Sequence, residues 1–257
     1  MALAATRRVP LGLLVPAALL ALWELCARTA VLSPRYFPPP TAIGAVLVER
    51  LASGDLGGEL LVTLTRMMLG FAVAAVLAVP LGLLMGMVRP VRDAVEPYVA
   101  FIFPVPKIAL LPFLLILLGV GEPAFVLTGA TSAFFQIVIS TMGGVQAIDP
   151  RLLEVGRNYG AHGARLFRKV ILPAALPSIF TGLRLGLGLA LVAIVAVEFI
   201  AAKSGLGHLV YRHWQMLSTP EMYAAFALVG ALGLALTRGL SALQDRVLAW
   251  QEDTGSL

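Results

Sequence analysis

The sequence is poor in charge. Only 13% of its 257 residues are Asp, Glu, Lys or Arg, while 59% are hydrophobic. Soluble domains carry about 25% charged residues, so a globular protein in water is excluded. A single cysteine, Cys26, leaves no partner for an intrachain disulfide and rules out a multi-cysteine metal or iron–sulfur site. It sits among apolar residues and reads as a small packed hydrophobe. No G-x-x-x-x-G-K-[ST] loop occurs, so the usual backbone cradle for nucleotide phosphates is missing. The strand-length alternation of a membrane barrel is absent as well.

What is present is apolar sequence in runs of about 18 residues or more, enough to cross roughly 30 Å of hydrocarbon. The reading is an all-α, polytopic membrane protein with about six transmembrane helices in one domain over residues 1–257. The spans fall at about 9–27, 63–88, 97–119, 122–145, 174–201 and 222–243. Arg7-Arg8 before the first run resembles a signal peptide, but no clean small-x-small cleavage site follows, so the run is read as a span. Between 97 and 145 the apolar sequence is nearly continuous, and the turn is placed at Gly119–Pro123 on its glycine and proline content.

Lys and Arg set the orientation. With the N-terminus cytoplasmic, eleven of them fall inside (Arg7, Arg8, Arg89, Arg92, Arg151, Arg157, Arg165, Arg168, Lys169, Arg238, Arg246) and five outside (Arg28, Arg35, Arg50, Lys203, Arg212). Both termini are therefore expected in the cytoplasm. The net charge of +5 follows from this bias and does not point to nucleic acid. Beyond Pro38-Pro39-Pro40, the residues Ile43, Val46, Leu47 and Leu51 recur at helical spacing and predict a short amphipathic helix at the outer interface. Gly70, Ala74, Ala78, Gly82 and Gly86 form a ridge of small residues on the second span, repeated by Gly182 and Gly186 on the fifth. Such ridges let helix backbones approach closely, and this one need not face a single partner along its length.

The polar segment at about 147–173 interrupts this pattern. Asp149-Pro150 reads as an N-cap followed by a first-turn proline. A helix over 150–159 follows, with Leu152, Leu153 and Val155 on its apolar side and Gly160 as its stop. So short a helix is marginal in water and needs a surface to dock on. After His162-Gly163, the residues Leu166, Phe167, Val170 and Ile171 share one face, while His162, Arg165, Arg168 and Lys169 share the other. That pattern predicts an interfacial helix along the membrane surface. Pro173 and Pro177 then open the next span.

Glu154, Gly160, Leu172 and Pro173 stand at the spacing of the cytoplasmic Glu-Ala-Ala motif of ABC-importer permeases, which this segment resembles. Val155 and Gly156 replace the two alanines, and Val170 stands for an isoleucine. PVPKIALLPFLLILLGVGE (104–122) and LPAALPSIFTGLRLGLGLALVAIVAVEFIAAKSGLG (172–207) are similar to the branch that imports nitrate, taurine and aliphatic sulfonates. The likeness covers roughly 36–250. It implies a type I ABC-importer (MetI-like) permease fold in which the helix around Glu154 is the coupling helix. Asp149, Leu152, Leu153, Glu154, Arg157, Tyr159 and Gly160 would then meet an ATPase subunit. It further implies two permease copies, two cytoplasmic ATPase subunits carrying ATP and Mg, an external solute-binding protein, and residence in a bacterial inner membrane. No cofactor is expected in this chain.

Two charges inside spans are candidates for the translocation path. Lys107 lies within the third span between Pro106 and Pro112, and a mid-membrane lysine should face a cavity or a partner. Pro104 and Pro106 free backbone carbonyls, which are tolerated only beside water or protein. Together these predict a kinked, path-lining helix attractive to an anion, with snorkelling or a structural ion pair as the alternative. Glu198, late in the fifth span, is open to pairing with Lys107 or to gating the outer end. Gln136, with Thr131 and Ser132, is a weaker polar candidate. Arg184 reads as an anchor at the inner end of the fifth span.

Two other classes of function compete. An ATP-independent secondary transporter or channel would leave the cytoplasmic lever unused and would show helix breaks at matching places in two halves. An intramembrane hydrolase would rest on Ser204 and His208, which lack a nucleophile elbow and an obvious paired acid.

Overall fold

The computed structural model describes residues 11–250; Arg7, Arg8 and residues 9–10 of the first expected span lie outside the described residues. Every regular element in the described range is helical. The order is α1 (Leu11–Arg28), α2 (Pro40–Ala52), α3 (Asp55–Met87), α4 (Arg89–Ile102), a 3-10 turn (Lys107–Leu110), α5 (Leu111–Leu118) and α6 (Glu122–Gln146). Then come α7 (Pro150–Asn158), α8 (Ala164–Leu166), a π turn (Phe167–Ile171), α9 (Leu172–Ala201), α10 (Leu206–Gln215) and α11 (Thr219–Val247). Among the described residues, four helices are long and apolar enough to cross a membrane: α3, α6, the continuous run Ala164–Ala201, and α11. The bent pair Arg89–Ile102 and Lys107–Leu118 makes a fifth if it counts as one span.

At the centre, α6 lies between α3 and α9, and glycine decides how closely. A Cβ on Gly70 would stand 2.8 Å from the Val126 carbonyl oxygen, and one on Gly82 2.8 Å from that of Val138. Gly86 meets the Val145 side chain. Residue numbers rise together on the two helices, so α3 and α6 run parallel. The whole ridge therefore faces one partner, because α6 follows it. On α9, Gly182 meets Ser140 and Gly186 meets Ile137, so α9 runs antiparallel to α6. Met67, Ala74, Ala78, Met85, Ile137, Val138, Ala190 and Ile194 fill the buried centre. With lipid as apolar as the core, close packing of this kind holds the bundle together.

The kink expected between the prolines of the 97–119 segment is present as a bend of 88° between α4 and Lys107–Leu118. Pro104 and Pro106 remove two N–H donors in succession, so the helix cannot continue through them. The basic segment from Ala164 is not a separate surface helix that re-enters at Pro173. It runs unbroken into α9 through the π turn Phe167–Ile171, whose widened backbone absorbs the ring of Pro173 one turn on. Outside the expected spans, α3 extends back to Asp55 and α10 forms a further helix between α9 and α11.

The amphipathic helix after the proline run is present as α2. Glu24 on α1 accepts from both the backbone N–H (3.0 Å) and the hydroxyl (2.8 Å) of Thr41, fixing the start of α2.

Candidate functional site

One end of the bundle carries α7. Asp149 caps it, its carboxylate accepting the Arg151 N–H at 2.8 Å, and Pro150 occupies the first turn. Gly160 at φ +80° closes it, a backbone conformation that glycine alone takes without steric cost. The Gly160 N–H donates to the Arg157 carbonyl and the Ala161 N–H to that of Gly156, both at 2.9 Å. Gly156 sits where α7 touches the chain behind it. A Cβ there would meet Val170 at 3.0 Å and Leu166 at 3.1 Å. The small residue in this motif position is thus a packing requirement of the segment. Leu153 is half-buried on that inner side. Leu152, Val155 and Tyr159 point outward, and Tyr159 is 88% exposed. Glu154 and Arg157 are exposed beside them. The helix therefore offers an unpartnered apolar stripe edged by one acid and one base.

The second group lies at the α4–α5 bend. The Lys107 ammonium donates to the carbonyls of Ile102 (2.7 Å), Phe103 (2.9 Å) and Val105 (2.6 Å). It also stands 4.9 Å from the centre of the Phe135 ring. Pro106 withholds the N–H that the Ile102 carbonyl would meet in a continuing helix, and the lysine satisfies that carbonyl with two others left open at the break. All three of its N–H donors are spent there, and none reaches Glu198. Lys107 still borders a cavity of about 250 Å³ that Phe103, Ile108, Ser132, Phe135, Leu189 and Val192 share. Gln136 donates to Ser140 at 3.2 Å, along its own helix. Thr131 and Ser132 donate back to carbonyls one turn earlier. At the α7 end, Arg184 donates to Gln244 at 2.5 Å, tying α9 to α11.

Glu198 belongs to a third group, at the end opposite α7. It is fully buried and pairs with Arg66 at 2.9 Å, itself only 4% exposed. The other Glu198 oxygen accepts from the Thr63 hydroxyl (2.8 Å) and the Gly207 N–H (3.0 Å). Arg66 also grips Glu122 through two nitrogens, at 2.7 and 2.5 Å, and donates to the carbonyl (2.8 Å) and hydroxyl (3.1 Å) of Ser204. Thr63 accepts the Leu206 N–H at 2.8 Å, and Glu59 accepts that of Gly205. The expected pairing of Glu198 with Lys107 is thereby replaced: a fully enclosed carboxylate needs a cation within reach, and Arg66 supplies it. Ser204 is engaged in the same group, and His208 does not contact it through any hydrogen bond among the described residues. Arg66, Thr63, Glu59 and Glu122 were not singled out as site residues. Two opposite charges inside apolar spans were the available signal, since each must find a partner there.

Also at this end, a cavity of about 350 Å³ is lined by Arg50, Asp55, Glu59, Arg212, His213 and Glu221. Burial pushes the His213 imidazole below its usual range; Arg212 and Arg50 push the same way and Glu221 opposes them.

The family described as the inner membrane component of binding-protein-dependent transport systems matches residues 78–250. Among curated relatives, the taurine transport permease TauC of Escherichia coli is 34% identical over 95% of this chain and 91% of its own. The chain belongs to that family. The aliphatic sulfonates permease SsuC of Bacillus subtilis, a putative assignment in its own name, is 31% identical over 93% of this permease and 87% of its own length. A solved methionine ABC transporter, MetNI, in inward-facing conformations, shares the fold with a TM-score of 0.60 at 21% identity. It covers 73% of this permease and 91% of that chain. The permease is thus the non-catalytic transmembrane subunit of an ABC importer in the inner membrane. ATP hydrolysis belongs to separate ATPase subunits, and an external binding protein completes the system.

Proposed function

We propose that two copies of this permease enclose the path for a small anionic solute: a sulfonate such as taurine, nitrate or a similar ion. The sulfur-anion specificity named for TauC and SsuC supports that class of cargo. The observation that carries the reading is the unpartnered stripe Leu152, Val155 and Tyr159 on α7, edged by Glu154 and Arg157. It has the form of a coupling helix that docks in a groove of a cytoplasmic ATPase. Asp149 and Gly160 delimit it, and Leu153 joins it to the bundle. Lipid surrounds the remaining apolar faces. Both termini lie in the cytoplasm of a bacterial cell in this reading, which the eleven-to-five bias of Lys and Arg supports. ATP and Mg²⁺ reside on the ATPase subunits, and this chain carries no cofactor.

Lys107 and the bend at Pro104 and Pro106 contribute to the path through the field of a lysine whose donors are already taken. Gln136 contributes polarity nearby, while Glu198 serves structure instead of cargo. The test is uptake by liposomes holding permease, ATPase and binding protein. Glu154→Ala is expected to leave assembly intact and to lower uptake per ATP hydrolysed at least tenfold. Full uptake by the permease alone, without ATPase, would overturn the reading in favour of a secondary transporter or channel.

A further inference from the structure

Arg66 sits one turn before Gly70, where the backbones of α3 and α6 touch at Val126 and Ala130. Its five N–H groups are all engaged: Nε and Nη2 on Glu122, Nη1 on Glu198, and the remaining two on Ser204. The two carboxylates differ in their surroundings. The Glu198 side chain is 0% exposed, and its second oxygen is held by Thr63 and Gly207. Water has no access to that pair, so separating it strands two charges in an apolar interior. The Glu122 side chain is 63% exposed although it grips Arg66 through both oxygens. It opens on a cavity of about 340 Å³ walled by Leu61, Val62, Thr65, Leu69 and Val126, which leaves room for a released carboxylate to move.

The chain behind Glu122 is built to turn. Glu122 is the first residue of α6, and a short connection that turns at Gly119 (φ +78°) joins it to α5. Below it, Gly70 against Ala130 provides a close backbone contact about which the ends of α3 and α6 can splay.

We propose that Arg66–Glu122 is a releasable latch. Engaged, it clips the start of α6 and the α5–α6 turn to α3; released, it lets them part during the transport cycle. Arg66, Glu198, Thr63 and Ser204 remain together as the fixed half. The proposal rests on the importer reading, since a latch requires a protein that alternates between states.

The test uses the permease assembled with its ATPase and binding protein, with Cys26→Ser and spin labels at Leu61→Cys and Leu127→Cys. Pulsed electron resonance then reads the distance between α3 and the first turns of α6. Two distances are expected, with different populations in nucleotide-free and ATP-trapped samples. Glu122→Gln, an exposed and conservative change, is expected to raise the share of the longer distance in both. A single distance in every state, or populations that Glu122→Gln leaves unchanged, would overturn the latch. A control pair of labels on α7 and the ATPase separates the two readings. If that pair moves with ATP and uptake is normal while the Leu61–Leu127 distance stays fixed, the latch fails and the importer reading stands.

Discussion

At the scale of single residues, the arginine on α3 shows how charge persists in an apolar bundle. Arg66 is 4% exposed and Glu198 is fully buried, yet every N–H of the guanidinium has an acceptor and both carboxylate oxygens have donors. Removing Arg66 leaves the enclosed Glu198 without a cation, whereas Arg66 keeps Glu122 if Glu198 is removed. Arg66→Met is therefore expected to destabilise the permease by about 3–5 kcal/mol, read as thermal unfolding in detergent. The double variant Arg66→Met/Glu198→Leu should recover most of that loss. Additive losses in the double variant would show that the two groups are not coupled. His213 gives a pH dependence of opposite origin. Burial lowers its pKa in the folded state, so the unfolded chain takes up a proton first as pH falls. Its contribution is fully present above the ordinary imidazole value of about 6.5 and is lost between there and the lower folded value. His213→Asn should flatten the decline in melting temperature below about pH 6.5 relative to the parent protein.

Among elements, the contacts of α6 with α3 and α9 set the architecture, and the glycines on them are not equivalent. A Cβ on Gly82 would lie 2.7 Å from that of Thr141 and 2.8 Å from the Val138 carbonyl oxygen. A carbonyl in a helix backbone cannot swing aside as a side-chain end can. Gly82→Val should cost about 1–3 kcal/mol from overpacking and lower the yield of folded permease. Gly44 on α2 has nothing within 4 Å of such a Cβ, so Gly44→Ala should instead stabilise by about 0.5–1 kcal/mol. Equal effects at the two positions would remove the argument from close approach. The same comparison explains the ridge that was legible in the sequence. Small residues four apart announced contact between backbones, but only the parallel course of α6 along α3 made it one continuous contact.

For the whole molecule, much of the design was legible in sequence. Long apolar runs, the Asp149-Pro150 cap, the Gly160 stop and the spacing from Glu154 to Pro173 led to the capped helix α7 and to the family. These signals are local, and local chemistry enforces them: a capping carboxylate, a left-handed glycine and a proline ring act within one or two turns. The bend after α4 was half legible. The prolines marked a break, but its 88° angle and the use of Lys107 to hold the freed carbonyls depend on atoms that fold back from beyond the break. The continuity of Ala164–Ala201 through Pro173 was hidden, because a π turn leaves no pattern that periodicity can detect.

Membrane residence and a short capped helix between two spans can be read from the chain alone. Those properties follow from composition and from residues close together along the chain. Only the tertiary structure decided which charges meet. Arg66 and Glu198 are far apart in sequence and joined at 2.9 Å, and Glu122 reaches the same guanidinium from a third helix. Burial requires every such charge to have a partner, but hydropathy cannot say which one; that choice is made by the way α3, α6 and α9 pack.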